Sequence, residues 1–353
     1  MTKKIFVRVD SGLEIGTGHL MRCLALAEII KDYGFKICFI SKELEGNVYD
    51  LILKKGFEIK YIANNKNNEE LIESDASDVL KIISKEKEKP HMIVDHYNLD
   101  EKWEEIVRKN IKKLIVIDDL ANRKHNCDLL LDYNLYENME KRYSGLLSEQ
   151  CKLLLGPEYG LLRKEFLYAR ENAFTRKKFH EIMISFGGSD PDNETTKVLI
   201  ALKKIQFENL RINVIIRNTN PNKNRIKELC SSIKNCFLYN DIENIEEFML
   251  KSDLAIGAGG ITTWERCCLG LPSVVATIAD NQIELTETIA KRNCIIYLGN
   301  SKKLIPEDYE KCLKEINSRT LTEMSTKCFE IIDGRGCFRV SENIYKLLKE
   351  KSV

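Results

Sequence analysis

Proline is scarce in this chain, with six in 353 residues, while charged residues make up 31% and hydrophobic residues 43%. Those figures exclude a disordered or Pro-rich chain. No stretch approaches the roughly 20 apolar residues of a membrane span. A secretory signal is also missing. The opening MTKKIFVRVDSG has a short apolar run broken by Arg8 and Asp10, where a signal needs roughly 7–15 apolar residues. The chain therefore reads as cytoplasmic. Nor is there an excess of one charge: Lys+Arg 55 against Asp+Glu 54 leaves +1. That balance offers no electrostatic footprint for nucleic acid or an anionic membrane.

Several chemical signatures are absent too. The twelve cysteines include no CxxC pair, so the expectation is of small buried hydrophobes in a reducing compartment. HExxH, an EF-hand loop and a spaced Cys/His cluster are all lacking, and no metal is expected. The dinucleotide fingerprint fails because Met21 stands where a glycine or alanine is needed, and Phe39-Ile40-Ser41-Lys42 holds no acid for a ribose. A Walker lysine is missing as well, and no cofactor is expected.

What is present is alternation. Residues 5–9 form a β-branched and aromatic run, followed by Ser11-Gly12-Leu13-Glu14-Ile15-Gly16-Thr17-Gly18. Residues 19–33 then carry apolar side chains at Leu20, Cys23, Leu24, Ala27, Ile30 and Tyr33, a helical spacing closed by Gly34. Further strands are expected at 36–40, 92–95 and 113–118, and helices at 48–55 and 101–109. Between 134 and 178 the pattern blurs; 162–172 reads as charged helix and Arg176-Lys177-Lys178 as a linker. In the second half, strand 181–186 runs into Gly187-Gly188-Ser189-Asp190-Pro191, and strand 254–256 into Gly257-Ala258-Gly259-Gly260. Strands are also expected at 211–216 and 273–278, helices at 193–203, 242–251 and 338–349. Strands alternating with helices mean βαβ units and parallel sheets. The expected fold is α/β, with two Rossmann-like domains, 1–172 and 178–335, and an inter-domain cleft. The tail, 336–353, is expected to pack back on the first domain.

Three groups of residues carry candidate chemistry. Gly16-Thr17-Gly18-His19 joins a strand to a helix, so backbone N–H groups converge where an anion or polar ligand can sit. His19 falls in the first helical turn, whose dipole disfavours imidazolium and suits a neutral general base; capping or packing is the structural alternative. Asp95-His96-Tyr97-Asn98 and Asp118-Asp119 end strands, as metal ligands or as polar caps. In the second half, Gly187-Gly188-Ser189 and Gly259-Gly260 form a candidate diphosphate cradle, with Thr262 as a hydroxyl donor. Glu265, one helical turn on, either accepts two ribose hydroxyls or is a solvated helix acid. Asn281 and Gln282 either contact sugar or phosphate oxygens or belong to an ordinary polar loop.

The chain resembles the nucleotide-sugar hydrolases of pseudaminic acid biosynthesis, which act on UDP-2,4-diacetamido-2,4,6-trideoxy-β-L-altropyranose. The resemblance is carried by Arg8-Val9-Asp10, Ile15-Gly16-Thr17-Gly18-His19-Leu20-Met21-Arg22-Cys23 and Val94-Asp95-His96-Tyr97 in the first half. It continues through Leu161-Leu162-Arg163-Lys164-Glu165-Phe166, Phe186-Gly187-Gly188-Ser189-Asp190-Pro191, residues 258–272, Asp280-Asn281-Gln282 and Asp333-Gly334-Arg335-Gly336. More distantly, the second half looks like the UDP-binding half of the glycosyltransferase that adds N-acetylglucosamine to the lipid II precursor. That relative has a small residue where Trp264 stands here.

The resemblance implies a GT-B fold with the nucleotide held by the second domain, and inverting hydrolysis at the anomeric carbon that releases UDP and free sugar. It places the general base on His19, the site tyrosine on Tyr97 and the ribose-binding glutamate on Glu265. Substrate contacts are expected at Gly16, Gly18, Asp95, Tyr97, Asn281 and Gln282. Nucleotide contacts are expected at Gly187, Gly188, Ser189, Gly259, Gly260, Thr262 and Glu265. The implied partners are a UDP-sugar and water, and the process served is flagellin glycosylation; nothing in the sequence demands more than a monomer. A UDP-sugar glycosyltransferase and a non-catalytic nucleotide-sugar binder are the competing readings.

Overall fold

The computed structural model describes residues 4–13, 15–64, 71–188 and 190–349. The chain divides into two compact units, Met1–Arg163 with Arg335–Val353, and Lys164–Gly334.

The first unit begins β1 (Lys4–Val9), α1 (Gly18–Asp32), β2 (Lys36–Lys42), α2 (Asp50–Lys54), β3 (Glu58–Ile62) and α3 (Leu71–Ile83). It continues β4 (His91–Asp95), α4 (Glu101–Arg108), β5 (Leu114–Ile117), β6 (Leu129–Asp132) and β7 (Lys152–Leu155). The strands pair in the order β3-β2-β1-β4-β5-β6-β7, every pair parallel. β1, β4, β5 and β6 are almost wholly buried. That is the condition of strands covered by helices on both faces, and it explains their continuous apolar runs.

The second unit holds α5 (Lys164–Arg170), β8 (Glu181–Ser185), α6 (Glu194–Ile205), β9 (Arg211–Ile216), α7 (Lys223–Ser231), β10 (Cys236–Asn240) and α8 (Ile245–Lys251). After these come β11 (Leu254–Ala258), α9 (Ile261–Cys268), β12 (Ser273–Thr277), α10 (Ile283–Lys291), β13 (Ile295–Asn300), α11 (Pro306–Glu315) and α12 (Ser318–Ile331). Its sheet runs β10-β9-β8-β11-β12-β13, again parallel throughout. The last helix, α13 (Gly336–Lys349), returns to the first unit and packs on α1. There Tyr345 meets Tyr33 at 5.0 Å between ring centres.

Both sheets change direction once. The first does so between β1 and β4, the second between β8 and β11. Open parallel sheets bind ligands beyond the carboxyl ends of the strands at such a switch. The Gly16–His19 loop leaves β1, and the turns at Gly187 and Gly259 leave β8 and β11.

Two boundaries differ from the sequence reading. Residues 164–172 fall in the second unit. Arg170 donates to the carbonyls of Cys268 at 2.6 Å and Ile332 at 2.9 Å. Arg176 is not a linker residue. It is fully buried and donates to the carbonyls of Ser252, Phe174, Leu269, Met249 and Leu250. Burial without a carboxylate partner in contact pushes it down to about 10. Among the described residues no helix is long and apolar enough to cross a membrane.

Candidate functional site

Beyond β1 the chain folds back on itself. The Gly12 and Gly16 backbones exchange hydrogen bonds, N–H to O at 3.3 and 2.8 Å, with Gly16 at φ +80°. Leu13 and Ile15 at the tip are 64% and 40% exposed. A Cβ at Gly16 or Gly18 would meet nothing within 4 Å, so the space before this loop is open. α1 starts at Gly18 with neither a side-chain cap nor an acid in its first turn. His19 sits in that turn, 9% exposed.

The His19 ring is fixed by β4. Its Nδ1 lies 2.6 Å from Oδ1 of Asp95, whose side chain is fully buried. Arg22, one turn along α1, donates through Nε to Oδ2 and through Nη2 to Oδ1, both at 2.6 Å. Burial by itself would raise the Asp95 carboxyl, but Arg22 and then His19 outweigh it and hold it well below the usual carboxylate range. An ionised carboxylate only accepts, so Nδ1 carries the proton. The 3.0 Å approach of Arg22 Nη2 to Nδ1 is then two donors converging on one oxygen. In the neutral ring the lone pair is then on Nε2. Among the described residues Nε2 meets no hydrogen-bond partner from the protein.

Tyr97 packs its ring edge on His19, 4.5 Å between centres at 84°. Burial, then the neighbouring Asp119 carboxylate, pushes its hydroxyl far above the ordinary tyrosine range, so it remains a phenol. Asp119 accepts from Arg22 Nη1 at 2.9 Å, and the Tyr133 hydroxyl lies 3.2 Å from the same nitrogen.

His96, adjacent in sequence to Asp95, is differently employed. Its Nδ1 accepts from the Asn98 N–H at 3.1 Å and its Nε2 faces Asp10 at 3.2 Å. Asp10 in turn belongs to a buried network with Arg8, Asp75 and Lys42. Neither ring nitrogen of His96 is available to a ligand.

In the second unit the two glycine turns diverge. After Gly187 and Gly188 the buried Asp190 carboxylate accepts from the N–H groups of Glu194 at 2.8 Å and Thr195 at 3.0 Å. The positive end of α6 is thus already occupied by the chain's own anion. Ser189 lies outside the described residues. α9, by contrast, has Gly260 at its N-cap, with no side-chain cap and no acid in its first turn. A Cβ at Gly259 would stand 2.9 Å from the Thr286 hydroxyl and 3.2 Å from Gln282 Oε1, so only glycine lets these segments close up.

Thr262 is half-buried beside this turn, whereas the Thr263 hydroxyl accepts from Arg266 at 3.0 Å. Glu265 is buried one turn into α9. Gln282 accepts from the Ile278 N–H at 3.1 Å, which holds its amide beside Gly259; Asn281 is exposed.

The structure thus gathers Gly16, Gly18, His19, Asp95 and Tyr97 at one switch point. Gly259, Gly260, Thr262 and Gln282 gather at the other, with Glu265 behind them. Asp95, expected among the substrate contacts, has both oxygens committed to His19 and Arg22. Sequence reasoning missed Arg22 and Tyr133 as members of the site, while Asp119, one of the strand-end carboxylates singled out above, joins it through Arg22. The signal for Arg22 was its place three residues after His19, on the same helix face. Nothing local marked Tyr133.

The chain matches no family model. It is 30% identical over 254 residues to the UDP-2,4-diacetamido-2,4,6-trideoxy-β-L-altropyranose hydrolase of Campylobacter jejuni, covering 72% of this chain and 84% of that one. It is 29% identical over 366 residues to an uncharacterized protein of Methanocaldococcus jannaschii, covering 99% of this chain and 68% of the other. Among solved structures, MurG of Acinetobacter baumannii superposes with a TM-score of 0.69 at 15% identity, covering 97% of this chain and 99% of that one. The two parallel sheets are those of the GT-B fold. At the identity and coverage of the Campylobacter match, the chain belongs to the family of UDP-2,4-diacetamido-2,4,6-trideoxy-β-L-altropyranose hydrolases.

Proposed function

We propose that the protein hydrolyses the anomeric C–O bond of a UDP-linked 2,4-diacetamido-2,4,6-trideoxy sugar, with inversion, releasing UDP and free sugar for pseudaminic acid synthesis. The observation that carries this reading is the Asp95–His19 pair at the β1/β4 switch, with Nε2 left free to accept a proton. In the reaction, Nε2 takes a proton from water as the oxygen attacks the anomeric carbon opposite the departing phosphate. Asp95 stabilises the imidazolium that forms. The bond to the UDP oxygen breaks with its electron pair, and charge grows on the diphosphate.

The open N-terminus of α9 and the N–H groups from Gly259 to Thr262 receive that charge, assisted by the backbone at Gly187 and Gly188. Glu265 takes the ribose hydroxyls, and Asn281 and Gln282 the polar groups beside them. Inverting glycosidases generally place a carboxylic acid at the leaving oxygen. A diphosphate leaves without one, which suits a site built on a single base and requires no metal. Tyr97 walls the His19 ring.

The test is incubation with the UDP-linked sugar, chelator and no acceptor, following UDP and the released anomer by NMR. Wild type is expected to release inverted sugar, and folded His19→Ala to lose at least about 10²-fold in kcat. Near-native turnover by His19→Ala rejects the assignment of the base. Substrate left intact by wild type favours a transferase, for which the exposed Leu13 and Ile15 are candidate acceptor contacts.

A further inference from the structure

We infer that Arg22 is a positioning residue that determines which nitrogen of His19 carries the proton. It rests on the reading of His19 as the base. Arg22 is buried and does not present its donors to solvent. Two of them close on Asp95. The remaining amino group is tied to Asp119 at 2.9 Å and to the Tyr133 hydroxyl at 3.2 Å, so residues beyond β5 and β6 hold the guanidinium in place.

The consequence lies in what Asp95 would do alone. It is faced by His19, Arg22 and the Cys23 thiol on α1, by Tyr97 beyond β4, by Tyr133 beyond β6, and through Arg22 by Asp119. Arg22 is the one permanent cation of that set. Without it, burial favours the protonated carboxyl. A protonated Asp95 donates to Nδ1 instead of accepting from it. The ring then takes the opposite tautomer, with hydrogen on Nε2 and no lone pair for water. Arg22 thus acts on the reaction through Asp95, never through the substrate.

The experiment compares wild type, Arg22→Met and Arg22→Lys, with Asp95→Asn and His19→Ala alongside. Each is measured for kcat and KM of UDP release from the UDP-linked sugar across pH. In parallel, ring ¹⁵N shifts are recorded on histidine-labelled protein, whose five histidines are assigned with the help of His19→Ala. Wild type is expected to show His19 protonated at Nδ1.

Arg22→Met is expected to show Nε2–H, a kcat lower by about 10²-fold and a KM within about threefold of wild type. Its activity should recover in part as rising pH removes the proton from Asp95, a limb that wild type lacks. Arg22→Lys should fall between the two, and Asp95→Asn should share the tautomer change without the pH recovery. Should Arg22→Met not fold, Arg22→Lys decides on the same readouts.

A wild-type tautomer or an unchanged kcat in the Arg22 variants overturns the proposal. So does a loss of activity with tautomer and pH profile unmoved, which would make Arg22 merely structural. Failure of the underlying reading looks different: His19→Ala would keep its turnover, whatever the ring tautomer proved to be.

Discussion

His19 and His96 stand beyond the carboxyl ends of neighbouring strands of one sheet and differ in what their second nitrogen meets. Both ring nitrogens of His96 are spent on Asn98 and Asp10, whereas His19 spends one on Asp95 and keeps the other. Burial and the nearby Arg8 guanidinium, against the pull of Asp10, hold His96 below its ordinary range, so it remains a neutral structural group. A carboxyl group in the same unit runs the other way. Asp132, at the end of β6, is raised to about 7 by burial, then by Asp119 and Asp118. An unfolded aspartate titrates near about 4. Between about pH 4 and 7 the folded chain therefore holds a proton that the unfolded chain has released, and stability falls as pH rises through that window. Asp132→Asn cannot lose that proton. From pH 5 to pH 8 it is expected to gain about 1–3 kcal/mol on wild type, read as a smaller drop in melting temperature. A drop equal to wild type's would mean that Asp132 ionises freely in the fold.

At the scale of elements, the two glycine turns of the second unit show how one local pattern serves two purposes. Both end a buried strand and open a helix, and from sequence both read as anion cradles. Only α9 keeps its N-terminus open, because Asp190 fills the end of α6. Asp190→Ala is expected to cost about 1 kcal/mol by leaving two N–H groups unpartnered, read as a lower urea midpoint. An unchanged midpoint would show that water replaces the carboxylate without loss. Strands with continuous apolar runs, such as β1, β4 and β8, were legible beforehand. β3 and β10 were not: each is an edge strand with mixed burial, so neither face imposes a clean pattern. Arg176 was misread for a related reason. Sequence alone cannot distinguish an arginine in a linker from one whose stem and head are both enclosed by carbonyls.

For the whole molecule, the chain's return is the feature with most at stake. α13 leaves the second unit's span and buries Cys337, Val340, Ile344, Leu347 and Leu348 within the first. Each such side chain contributes roughly 1.5–3 kcal/mol by burial. A chain ending at Gly334 is therefore expected to lose the first unit's thermal transition, and with it His19-dependent turnover, while the second unit melts as before. Calorimetry resolves the two. An unchanged first transition would show that α1 is held by its own sheet alone.

The sequence by itself determined the βαβ alternation, the glycine loops at strand ends and the place of His19 in a first helical turn. These depend on periodicity and turn chemistry within about ten residues. Only the tertiary structure decided that His19 meets Asp95, 76 residues away, and that Arg22 reaches Asp119, 97 residues away. It also decided that α6 is capped while α9 is open. The reason is electrostatic: whether a buried charge is stable, and which proton a ring keeps, depends on partners brought close by folding, and no local pattern encodes their distance.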